Sequence, residues 1–227
     1  MKFILVDSTS HRFDGIYLDV REELRMSPTN ILEVSMITLA FDFTDPESFL
    51  ALGPSIRMAQ ELKEQLEVVP FRITRRSTQK KTSTEHETVG ERHARVRSNY
   101  QELNLRRYFE RQGLPYRKIE ETDSTAALVG LLKAGAAKKS IKYATTIFDR
   151  FWNNSIDLTS KSVDRILEEL KIAEQPNQDL VLCREKLIER GIFSTPMYVV
   201  ADQVFMGRQH LPMIRWILTG RLGVPPL

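Results

Sequence analysis

Apolar positions along this chain follow two rhythms, and the order in which they alternate predicts its elements. Residues 2–6 read as a short strand. Residues 13–25 set Phe13, Ile16, Tyr17, Val20 and Leu24 at roughly helical spacing, until Ser27-Pro28 breaks the pattern. Residues 31–43 are rich in Ile, Leu, Val and Phe without polar alternation, the pattern of a strand covered on both faces. At Asp45-Pro46 the rhythm turns helical. Asp45 has the form of an N-cap, and Pro46 occupies the first helical position, where its missing N–H costs nothing. Phe49, Leu50, Leu52, Ile56, Met58, Ala59, Leu62 and Leu66 then form an amphipathic stripe. Residues 66–73 are a second strand. Strand, helix and strand at this spacing make a right-handed βαβ unit with parallel strands.

Residues 74–97 break the pattern: no apolar residue lies between Ile73 and Val89, and residues 75–92 read as an exposed, mobile loop. Helices are predicted next over 94–112, 124–135, 137–153 and 160–171, the third with Tyr143, Ile147, Phe148, Phe151 and Trp152 on its apolar side. The α/β rhythm returns near residue 178. Residues 180–190 form a helix closed by Gly191 in the left-handed C′ position. Residues 197–201 and 204–206 are strands joined at Asp202-Gln203, an antiparallel hairpin. Gly207 and a last helix over 211–219 follow, with Trp216 and Ile217 on its apolar face. The result is an α/β fold of thioredoxin topology, β-α-β … α-β-β-α, interrupted by an all-helical insertion. Its parts are an N-terminal extension (1–33), a thioredoxin-like domain (34–75 and 178–222), and the basic loop plus helical insertion (76–177).

Composition changes this picture little. At 227 residues, 41% hydrophobic and 28% charged, the chain has a globular balance and can bury a core. The net charge of +3 gives no warrant for nucleic-acid binding on its own. The one cysteine, Cys183, excludes an intrachain disulfide and a Cys-x-x-Cys pair, and reads as a buried small apolar residue in its helix. The apolar run at the N-terminus covers only residues 3–6, too short for a signal peptide, and nothing approaches a membrane span. A cytoplasmic protein without membrane contact is expected.

Two stretches carry a resemblance. Phe41-Asp-Phe-Thr-Asp-Pro-Glu-Ser-Phe-Leu50 resembles the N-terminal motif of kappa-class glutathione transferases and 2-hydroxychromene-2-carboxylate isomerases, within the DsbA-like branch of thioredoxin folds. Arg190-Gly-Ile-Phe-Ser-Thr-Pro-Met-Tyr-Val-Val200, followed by Val204-Phe-Met-Gly207, is similar to the segment holding that family's cis-proline and hairpin. Weaker similarity covers residues 104–115 and 146–158, and the whole spans roughly 36–220. The resemblance implies a glutathione-dependent isomerase or transferase. Asp45 then stands where the family has a catalytic serine against the glutathione sulfur. Thr195 would hold the ligand by its backbone, and Pro196 would be the cis-proline. Arg208 and Gln209 fall where the family's polar pair binds the γ-glutamyl end. Homodimers are common among the relatives, so a dimer is expected by analogy.

The substitution at Asp45 changes the chemistry. A carboxylate ~4 Å from a thiolate costs about 4 kcal/mol at an effective dielectric of about 20, roughly three pKa units against the thiolate. Asp45 is therefore either a cap alone or a general acid or base. Arg208 suits a carboxylate or phosphate. Two classes of function stay open: an enzyme binding glutathione or a small anion, and a catalytically inactive relative acting as a binding or interaction module. With no cysteine at Asp45 or Ser48, disulfide exchange is excluded. His86, between Glu85 and Glu87, and His93 lack a second cluster at ligand spacing, so no metal is expected. His210 falls near the predicted cleft and reads as a surface residue. The segment 72–97, with eight Lys or Arg against three Glu, reads as a solvated face or as steering for an anionic ligand. Without aromatic interleaving it argues against nucleic acid.

Overall fold

The strand that opens the described part of the chain carries two cores at once. In β1 (Met36–Phe41), Ile37, Leu39 and Phe41 enter one hydrophobic cluster and Ala40 enters another. This period-2 alternation leaves both faces of the strand covered. The computed structural model describes residues 36–72, 88–114, 116–119, 122–173 and 179–226. The expectations for residues 2–6, 13–25, 31–35 and 75–87, and with them His86, lie outside the described residues.

Helix α1 (Pro46–Leu62) returns the chain to β2 (Gln65–Pro70), which pairs parallel to β1. At the far end of the sequence, β3 (Met197–Val200) pairs antiparallel with β1, and β4 (Gln203–Met206) antiparallel with β3. The sheet order is β2-β1-β3-β4. The hairpin turns at Ala201-Asp202, both left-handed with φ of 46° and 60°, one residue earlier than expected. Two consecutive positive φ angles match the right-handed twist of the paired strands.

Between the halves lie α2 (Val89–Arg111), α3 (Thr125–Ala136), α4 (Ser140–Trp152), α5 (Ser160–Glu169) and α6 (Leu180–Glu189). Helix α2 starts within the segment expected to be loop. Thr88 Oγ1 accepts from Glu91 N while the Glu91 carboxylate accepts from Thr88 N, a capping box that starts the helix five residues early. Helix α4 starts at Ser140 rather than 137, because Lys138 is left-handed at φ 54°. Helix α6 ends as expected, with Gly191 at φ +88°. A short 3-10 turn, Arg208–His210, leads into α7 (Leu211–Leu218). Its buried residue is Ile214, with Leu211 and Leu218 against the core; Trp216 and Ile217 are half-buried at the edge.

The larger cluster welds the helical block to the sheet. Phe41 and Phe43 meet Phe148 with ring centroids about 5 Å apart, and Phe49 stacks on Trp152 at 5.0 Å and on Phe109 at 5.6 Å. Each ring buried this way contributes about 2–3 kcal/mol. Gly130 allows the closest approach: a Cβ there would collide with the Tyr143 hydroxyl, which donates to Ala127 O at 3.0 Å. The smaller cluster, on the opposite face, joins Ala40, Met197 and Val199 to Phe71, Leu187 and Ile192. Cys183 packs at its margin and is half-buried rather than buried, its thiol pushed up by desolvation.

Candidate functional site

The N-terminus of α1 meets the cis-proline segment at the C-terminal end of β1. Asp45 caps α1 from extended backbone geometry, and its carboxylate accepts from Glu47 N at 3.3 Å and Ser48 N at 3.1 Å. Ser48 Oγ donates to it at 2.6 Å, and Thr195 Oγ1 donates at 2.9 Å from the strand side. Four donors thus reach one carboxylate, three of them at Oδ2 and one at Oδ1. Ser48 Oγ also accepts from Asp42 N at 3.4 Å, so the network ties the end of β1 to the first turn of α1. Asp45 is buried, and burial pushes its carboxyl from the ordinary 3.8 up to about 6; the Ser48 and Thr195 hydrogen bonds pull the other way without offsetting it.

Thr195 and Pro196 are joined by a cis peptide bond, and Pro196 O accepts from Gly207 N at 2.8 Å. That bond draws the hairpin exit, and Arg208 after it, to the same end of the sheet. Gly207 has φ +85°, a conformation L residues rarely adopt. Among the described residues, the Thr195 backbone N–H and C=O take no partner.

Arg208 is held on two sides. Its Nε donates to Glu47 Oε2 at 3.1 Å, and its guanidinium lies 3.6 Å above the centre of the Tyr108 ring, a cation–π contact. Its side chain is only 17% exposed. Among the described residues, nothing accepts from Nη1 or Nη2, which leaves their four N–H donors without a protein partner. Gln209 is placed differently: it is exposed, and its Nε2 donates back to Met206 O at 2.8 Å, so its amide serves the hairpin. His210 is exposed beside Phe205, and His93 is exposed on α2.

The fold thus brings Asp45, Thr195, Pro196 and Arg208 to one edge and turns Gln209 away. It adds three residues that pattern reading left out. Glu47 and Ser48 stand within the quoted motif, and their spacing from the cap gives the signal that places them in the first turn. Tyr108 has no sequence signal, since it reaches Arg208 from the inserted α2.

The topology and this edge define the class. The model of the DSBA-like thioredoxin domain matches residues 36–218, and the chain belongs to that family. In fold it is similar to a 2-hydroxychromene-2-carboxylate isomerase, at 18% identity over 82% of this chain and 95% of that one, with a TM-score of 0.58. It is likewise similar to the cytosolic disulfide reductase DsbM from Pseudomonas aeruginosa, solved with GSH, at 15% identity over 82% and 98% of the two chains and a TM-score of 0.54. No curated protein matches it in sequence. Among the described residues no helix is long and apolar enough to cross a membrane.

Proposed function

We propose that this edge binds a small anionic ligand, with Arg208 as its anchor and Asp45 as its framework. The carrying observation is the state of Arg208: a guanidinium on a half-buried side chain, fixed flat on Tyr108, with both terminal nitrogens unpaired among the described residues. A carboxylate or phosphate takes two parallel hydrogen bonds from such a fork. The open Thr195 backbone adds a donor and an acceptor in the manner of a short added strand, which suits a peptide-like acid such as glutathione. The residue pattern adds the kappa-class and isomerase likeness to this reading, and the single cysteine fits a reducing cytoplasm.

Asp45 directs the reading away from thiolate chemistry. Four donors already engage its carboxylate, three of them at Oδ2, and its charge disfavours a neighbouring thiolate. A second reading rests on a different property of the same residue. A carboxyl with a pKa of about 6 exchanges protons near neutrality, the range a general acid or base for an isomerisation requires.

The test is a thermal-shift and calorimetry panel with glutathione, its S-conjugates and small mono- and dicarboxylates, on the native chain and on Arg208→Gln. Ligand at about tenfold its Kd adds about 1.4 kcal/mol and raises Tm by roughly 3–5 °C. Arg208→Gln is expected to weaken binding about 30-fold, the scale of a charged hydrogen-bond pair. A melting point unmoved by every compound refutes the anion site. Turnover of an isomerisable ligand that Asp45→Asn abolishes favours the second reading.

A further inference from the structure

Among the described residues, helix α2 packs on the core through its C-terminal end. Of its residues Phe109 alone is buried, with Leu105 and Tyr108 packed partly against the core. At about 100° per residue these three point to one side of the helix. Val89, His93, Val96, Tyr100 and Leu103 fall on the opposite side, at the alternating four- and three-residue spacing of a coiled-coil seam. The seam faces water: Val89 is 70% exposed, Val96 56%, Tyr100 61% and Leu103 47%. Four large apolar side chains along ~21 Å of one helix are an ordered apolar surface that the described residues leave uncovered.

Charge narrows the occupant. The helix carries six arginines against three glutamates. Arg97 flanks the seam, and Arg107 and Arg111 extend its line, while Glu102 is engaged by Arg106 on the core side. A second copy of the chain would set these arginines against their equals, with only Glu110 on the flank to answer them. A membrane-lying helix needs a broad apolar face, whereas this seam is ~80° wide and holds no Trp or Phe. We propose that this face of α2 docks an acidic amphipathic helix of a partner protein, whose apolar residues fill the seam and whose carboxylates meet Arg97, Arg107 and Arg111. Two heptads make a small contact, below the ~1,200 Å² of a stable complex, so the partner exchanges readily.

The experiment uses the full chain and a labelled synthetic 21-residue helical peptide with Leu at the seam positions and Glu at the flanks. A Lys-flanked version, a DNA duplex and anionic lipid vesicles serve as rivals. The Glu peptide is expected to bind saturably and at least tenfold more tightly than the Lys peptide. Val96→Gln with Tyr100→Gln leaves the charge unchanged and is expected to weaken that binding at least tenfold, with the melting curve unmoved because neither side chain enters the core. Failure of the Glu peptide to bind, or binding that survives the double substitution, overturns the proposal. So does preference for DNA or vesicles, and so does a concentration-dependent dimer that the double substitution dissolves.

Discussion

Asp45 and Arg208 stand at the same edge of one sheet, yet the fold treats their charges in opposite ways. Around Asp45 the carboxylate is engaged from within, by two backbone amides and two hydroxyls. Around Arg208 only Nε is matched, by Glu47, and the remaining donors are held in place with nothing among the described residues to receive them. A saturated buried group acts mainly on stability, because its partners suffer when it is removed. A fixed and unsatisfied one acts mainly on binding, because a ligand supplies what the protein withholds. On the proposed reading, Asp45 acts on stability and Arg208 is the hook for a ligand.

The largest test of that contrast is pH. The pKa of Asp45 is about 6 in the folded chain and about 3.8 in an unfolded one, so between those values the unfolded state has released its proton and the folded state has not. Stability therefore falls as pH rises from about 4 to about 6, by about 3 kcal/mol in all, and stays lower above that. Asp45→Asn cannot ionise, so urea unfolding at pH 4 and pH 7 should show the variant gaining on the native chain by that amount. Parallel behaviour at the two pH values would remove burial as the governing cause.

Next in size is Thr195→Val, which deletes one donor to the buried carboxyl. It is expected to lower stability by about 1.5 kcal/mol in chemical denaturation and to raise the pKa of Asp45 further, whereas Thr195→Ser should restore both. A valine variant as stable as the native chain would show that the fourth hydrogen bond is dispensable. The smallest effect concerns Glu47, whose carboxylate holds Arg208 at 3.1 Å with 38% of its side chain exposed. Glu47→Gln removes a negative charge that opposes an incoming anion, and should tighten binding of a small carboxylate about threefold by calorimetry, within the range of a partly exposed pair. Weaker binding instead would make Glu47 a positioning residue for the guanidinium.

Much of this architecture was legible from local chemistry. The Asp45-Pro46 start of α1, the parallel crossover and the Gly191 stop each follow from the side chains at the junction itself. The start of α2 was also written locally, in Thr88 and Glu91, but the charged run around it masks the capping box. The site was legible only in part. Asp45, Thr195 and Arg208 lie in motifs, whereas the Tyr108 ring reaches Arg208 across a separation of 100 residues, which no spacing rule encodes. The direction of Gln209 is likewise decided by a backbone carbonyl, Met206 O, that becomes available only once the hairpin has formed.

The ring stack of Phe49, Trp152 and Phe109 has an optical consequence. The chain has two tryptophans. Trp152 is 2% exposed, stacked on α1 and α2 rings, with its Nε1 donating to Phe43 O at 3.3 Å, while Trp216 is half-buried at the end of α7. The two indoles should emit at different wavelengths, the inner one bluer. Loss of the blue component would record the moment the helical block parts from the sheet, without any added label.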